Sequence, residues 1–120
     1  MSDNIPTELA REELVRLERR LALEGAPAYE DLLHRDALVI VPGAVLNKGE
    51  CVAAIEASAP WARIDIDPFW YFGTADTASI AYRFTGSRGA DEYRAVMLSS
   101  YLLDAGWPQL IHHQQTVEAP

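Results

Sequence analysis

The sequence predicts an α+β fold, with helices first and an antiparallel sheet after them. Three observations carry this. Apolar residues recur at helical spacing through residues 7–24. The pattern then changes to short β-branched and aromatic runs, and these fill the second half between turn-forming residues. At 120 residues the chain makes one domain, with an ordered core expected over about residues 7–117.

In the first helix Leu14, Leu17 and Leu21 recur with Ala10, while Glu12, Glu13, Arg16, Arg19 and Arg20 take the other sides. Glu12 is spaced to pair with Arg16. The arginines are interleaved with acids, so they read as a solvated face. Gly25 stops the helix and Pro27 prevents its continuation. A short second helix places Tyr29, Leu32 and Leu33 on one side and ends near His34. Ala37 to Val41 closes on Pro42-Gly43 as a strand entering a turn. Asn47-Lys48-Gly49-Glu50 has the form of a capping box. The third helix it opens turns Val52, Ala53 and Ile55 inward and stops before Pro60. Strands follow near 62–72, 77–85, 92–103 and 107–117. They are separated by Gly73 to Asp76, by Gly86 to Asp91 and by Asp104-Ala105-Gly106. Gly86-Ser87-Arg88-Gly89 reads as a turn, since it lacks the lysine and helix of a phosphate-cradling loop. The tail, Glu118-Ala119-Pro120, is expected to be loose.

Composition narrows the partners. The formal charge is −8 and Lys48 is the single lysine, which argues against nucleic acid and anionic membrane surfaces. No apolar run approaches the ~20 residues of a membrane span, and Met1-Ser2-Asp3-Asn4 does not open a signal peptide. A lone cysteine, Cys51, suits a reducing compartment, so a cytoplasmic location is expected.

With Asp104-Ala105-Gly106 as a three-residue hairpin loop, Leu103 faces Trp107. Tyr101 then faces Gln109, Ser99 faces Ile111, Met97 faces His113 and Ala95 faces Gln115. Ile80, Tyr82 and Phe84 join this side. The other face carries Val96, Leu98, Ser100, Leu102, Leu110, His112 and Gln114. Both faces are substantially apolar, and helices cover only one. The uncovered face therefore predicts a homodimer built through Val96, Leu98, Leu102 and Leu110.

Other constellations are weaker. His112 and His113 are adjacent on a strand and point to opposite faces, so they share no metal, and neither a metal nor a cofactor is expected. Ser99 and Ser100 lack a nucleophile elbow. Cys51 reads as a small buried residue. Asp65 and Asp67 share one side of a strand, with Arg63 and Arg83 as bridges, which is either charge guarding a sheet edge or an acid–base pair. Residues 93–103 hold no carboxylate to accompany His113.

Gly25, Val41-Pro42-Gly43, Pro60-Trp61, Ile80-Ala81-Tyr82-Arg83, Ser99-Ser100-Tyr101 and His113-Gln114-Gln115-Thr116 carry a likeness over about residues 8–117. On these pieces the chain resembles the nuclear transport factor 2-like superfamily, with a cystatin-like fold, and within it small bacterial SnoaL-like proteins of unknown function. It is also similar to the association domain of calmodulin-dependent kinase. The resemblance implies a cone, in which a curved antiparallel sheet wraps around three N-terminal helices and leaves a cavity. The fold hosts isomerases, cyclases, epoxide hydrolases and association domains, so it does not by itself assign chemistry. The ketosteroid isomerase positions are not matched: Val41 stands where its base precedes a proline, residues 7–24 hold no tyrosine, and no late strand carries the acid.

The resulting reading is a small-molecule-binding domain. Tyr82, Met97, Tyr101, His113 and Gln115 line the cavity, and Trp61 and Tyr29 partly close it. Aromatic walls take a flat or apolar body, while His113 and Gln115 fix its polar end. A polyanion is disfavoured, and Arg83 or Arg94 would receive a carboxylate only with the register shifted by one. The alternatives are a hydrolase or cyclase using Asp65 or Asp67 with His113, and a purely structural homodimerisation domain.

Overall fold

The computed structural model describes residues 8–103 and 106–118. Among these residues there are three helices, α1 (Glu8–Glu24), α2 (Ala26–Leu32) and α3 (Lys48–Glu56). The strands are β1 (Leu33–Val41), β2 (Ala44–Leu46), β3 (Arg63–Gly73), β4 (Thr77–Arg88), β5 (Asp91–Leu102) and β6 (Gln109–Val117). They form one sheet in the order β2-β1-β6-β5-β4-β3.

β3 to β6 make the expected antiparallel meander. β1 departs from expectation: it runs parallel to β6, with Val39 opposite His113, so the sheet is mixed. The meander leaves one edge of β6 open, and β1 closes it. β1 then turns back at Pro42-Gly43, where Gly43 takes φ 83° as the third residue of a type II turn requires, to pair with the short β2. Bulges at Phe69 and Ile111 interrupt the β3–β4 and β5–β6 ladders, and the β1–β6 register breaks between Leu33 and Leu38. Each bends its strand and adds twist, which lets the sheet curl around the helices as a cone. Pro68 beside the β3 bulge is tolerated because β3 is an edge strand.

Leu14, Leu17 and Leu21 of α1 bury against Ile80, Tyr82 and Phe84 of β4 and Met97 and Tyr101 of β5. Full burial of each large apolar side chain is worth about 1.5–3 kcal/mol. Gly25, at φ 69°, sits between α1 and α2. Its N–H donates to Leu21 O (3.1 Å), and its carbonyl accepts from Ala28 and Tyr29 (3.0 and 3.1 Å). Arg20 fastens the two helices by reaching Glu24 and Asp31 (3.1 and 2.8 Å). Arg16 pairs with Glu13 rather than Glu12. Asn47 and Glu50 form the capping box as read, but Ala53 is exposed. The inward stripe is Cys51, Val52 and Ile55, and Ala53 lies a further 100° or so round the helix.

The β5–β6 register differs from the three-residue loop. Pairing begins at Leu102 opposite Gln109, because Leu103 donates instead to Asp76 O (2.8 Å). That shift of one residue turns Leu110 inward, opposite Tyr101, where it is fully buried. Leu110 therefore does not belong to the outer face. A bulge at Ile111 then adds a second residue and restores parity, so Ser99 faces His113 and Met97 faces Gln115. Asp104 and Ala105 of the loop lie outside the described residues.

β4 also runs further than expected. Gly86, Ser87 and Arg88 are strand, and the turn is Gly89-Ala90 alone, with Gly89 at φ 58°. Glu118 is tied down, its N–H to Arg94 O (3.0 Å) and its carboxylate to Arg83 (3.3 Å). Ala119 and Pro120 are outside the described residues. No described helix is long and apolar enough to cross a membrane.

Candidate functional site

Between the helices and the concave face of the sheet lies a cavity of about 420 Å³. Its walls are mostly apolar, among them Leu21, Val39, Val41, Leu46 and Phe84. Tyr29, Trp61, Tyr82, Met97, His113 and Gln115, singled out from the sequence, all line it. Tyr101 does not. It is fully buried behind the wall and donates its hydroxyl to Glu18 Oε2.

Glu18 is the residue the sequence reading passed over. It comes from α1, is 1% exposed and lines the cavity floor. Its spacing from Leu14 and Leu21, four and three residues away, puts it on the buried stripe of α1. Tyr82 (2.7 Å) and Ser99 (2.6 Å) donate to Oε1, and Tyr101 to Oε2. The carboxylate that accompanies His113 thus comes from α1 rather than a late strand, with Glu18 Oε1 3.8 Å from His113 Nδ1.

These contacts extend into one directed chain. Tyr93 donates to Gln115 Oε1 (2.9 Å), which turns the amide nitrogen toward His113 Nε2 (3.1 Å). Nε2 is therefore the acceptor, and Nδ1 carries the proton and donates to Ser99 Oγ (2.7 Å). Ser99 passes its own proton toward Glu18. The arrangement assigns a neutral imidazole. Burial lowers the His113 pKa from its ordinary value, opposed by the Glu18 charge and assisted by His112. Burial, with the Glu18 charge, raises the Tyr82 and Tyr101 hydroxyls well above the usual value. Tyr29 meets the imidazole edge-on at 6.1 Å.

At the mouth Trp61 stacks on Tyr93 (5.6 Å) and meets Phe84 edge-on (5.7 Å). The Arg88 guanidinium lies 3.7 Å over the Trp61 ring. Gly86 makes room for this, since a Cβ there would stand 2.7 Å from the indole. Cys51 lines the cavity as a thiol, its pKa pushed up to about 11 by burial.

Asp65 and Asp67 are not part of the site. They pair with Thr85 and Arg83 on the outer face, exposed, whereas His113 is inside. The period of 2 puts the sheet between them, so they cannot act together on one molecule. Arg83 and Arg94 are likewise outside, paired with Glu118 and Glu92. Among the described residues no group of three or more His, Cys, Asp or Glu is placed to hold a metal ion.

No protein-family model and no curated protein matches the sequence. Solved structures do. A nuclear transport factor 2-like protein of unknown function from Pseudomonas aeruginosa is 24% identical, covers 92% of this chain and 98% of its own, and superposes with a TM-score of 0.74. A protein of unknown function with a cystatin-like fold from Nostoc punctiforme is 18% identical over 93% of each chain, with a TM-score of 0.78. A ketosteroid isomerase-like protein from Erwinia carotovora atroseptica is 15% identical, covers 97% of this chain and all of its own, and has a TM-score of 0.77. The chain has the nuclear transport factor 2-like, cystatin-like fold.

Proposed function

We propose that the protein binds a small, largely apolar molecule in the cone cavity, against the His113–Gln115 pair. One observation carries this reading. A cavity of about 420 Å³ with mostly apolar walls contains a polar pair already fixed by hydrogen bonds on both sides. Sites for small molecules are commonly apolar clefts of roughly 300–1,000 Å³ with a few placed polar groups. Glu18 and Ser99 orient the imidazole, and Tyr93 orients the amide, so little ordering is left for the ligand to drive.

The test uses 2-naphthylmethanol as a probe, with thermal unfolding as the readout. A ligand that binds only the folded state raises the midpoint in a concentration-dependent way. Ala54→Phe, at an exposed position lining the cavity, should abolish that rise without lowering the midpoint of the free protein. A rise that persists in Ala54→Phe would place the probe elsewhere and overturn the reading.

The directed chain behind His113 favours a second reading, acid–base catalysis. Nε2, whose lone pair Gln115 holds at rest, would take a proton from a bound substrate once the amide turns away, and Ser99 with Glu18 would stabilise the imidazolium. Turnover lost in His113→Gln while probe binding persists would support it.

We further propose that the chain works as a homodimer through its outer sheet face. Leu38, Trp70 and Phe72 are exposed there on the same face as half-buried Val96, Leu98 and Leu102, and large apolar side chains exposed on one face favour an interface.

A further inference from the structure

We infer that the ligand is a monoanion: a flat apolar body carrying one carboxylate, which Arg88 receives at the cavity mouth. The inference rests on the binding reading above and adds the chemical class. In a chain of charge −8, Arg16, Arg20, Arg83 and Arg94 each find a carboxylate. Arg88 does not: among the described residues it has no ion pair, and its Nε, like that of Arg11 over Tyr71, is buried without a hydrogen-bond partner. A guanidinium without a counter-charge in an acidic protein can take one from a bound anion through its terminal nitrogens.

Its position gives the second part. Arg88 is the one cationic arginine or lysine among the described residues that line the cavity. The last residue of β4 holds its guanidinium over Trp61, and Trp61 is stacked on Tyr93 and seated against Gly86. The planar fork is thus held in place before anything binds. It matches a carboxylate through two parallel N–H donors, which an ammonium does not. A single cation matches a single negative charge. The other charged groups of the lining, Glu18, Glu24 and Glu56, repel a second. An aromatic body inside would meet Trp61, Met97 and Phe84, leaving its acid group at the rim.

The experiment compares 2-naphthoate with 2-naphthylmethanol by calorimetric titration, on the native chain, Arg88→Gln and Arg88→Lys. Native protein should bind naphthoate at least tenfold more tightly than the alcohol. Arg88→Gln should erase that preference, so that the two probes bind within twofold of each other. Arg88→Lys should keep only part of it, because it retains the charge and loses the fork. Equal binding of both probes by native protein would overturn the anion assignment and leave the cavity reading standing, as would a preference that survives in Arg88→Gln. Binding of neither probe at millimolar concentration would overturn both.

Discussion

Glu18 is a buried carboxylate whose two oxygens accept from three hydroxyls, so its replacement tests how much of the core depends on polar satisfaction. Glu18→Gln keeps the shape but turns an N–H₂ group toward hydroxyls that were donors. The change should cost about 2–4 kcal/mol in denaturant unfolding, the range for breaking buried hydrogen bonds to a charged group. His113 gives a prediction with a sign. It is buried and neutral, with a pKa below the ordinary value, and the titratable groups facing it are Glu18, Tyr29, Tyr82 and Tyr101, with His112 alongside. The unfolded chain binds the proton more readily, so this contribution is complete above about pH 6.5 and is lost as the pH falls toward the lowered value. Unfolding measured from pH 7.5 downward should show that decline, and His113→Gln should flatten its upper part. A native profile level between pH 7 and 5.5 would contradict the assigned protonation state. Glu18 was readable in the sequence, since it falls on the stripe of Leu14 and Leu21. It is easily passed over because glutamate on a helix is usually solvated, and only tertiary contact with Tyr82, Ser99 and Tyr101 makes it a core residue.

Element-scale behaviour turns on strand parity and on close approach. The side-chain period of 2 made the inner set on β5 legible from alternation alone: Ala95, Met97, Ser99 and Tyr101 are all buried. On β6 the outcome was partly hidden. The longer loop and the Ile111 bulge cancel for His113 and Gln115 but not for Leu110, which lies between them. Bulges arise from long-range fit and leave no local signal strong enough to place them. The short β2 and the parallel β1–β6 pairing were hidden for the same reason, since three residues carry little pattern and partner choice is tertiary. Gly86 shows a close approach. A methyl group there would sit 2.7–2.8 Å from Trp61 and Phe84, so Gly86→Ala should lift Trp61 off Tyr93. The expected result is a loss of about 1–3 kcal/mol, as for overpacking, with a changed near-ultraviolet dichroism of the Trp61–Tyr93 pair. A variant with native stability and spectrum would show that the indole is not seated on β4.

For the whole molecule the cone has two faces that carry apolar side chains. The concave one encloses the cavity, and the convex one exposes Leu38, Trp70 and Phe72 beside Leu98. If the convex face is the dimer interface, light scattering gives about twice the 13.3 kDa chain mass. Leu98→Asp should then yield monomers that still fold, whereas Leu110→Asp should unfold the protein, because Leu110 is core rather than interface. A native mass near 13.3 kDa at micromolar concentration would remove the dimer. The central claim is that the cavity is a binding site, and the sequence supplies its own reporter. It contains two methionines, Met1 and Met97, and Met97 is buried in the cavity wall. With methyl-labelled methionine, titration with 2-naphthoate should move the Met97 methyl resonance, assigned by Met97→Leu, saturably through the ring current of the bound naphthalene. A Met97 resonance that stays fixed up to millimolar probe, or moves linearly without saturating, would contradict the account.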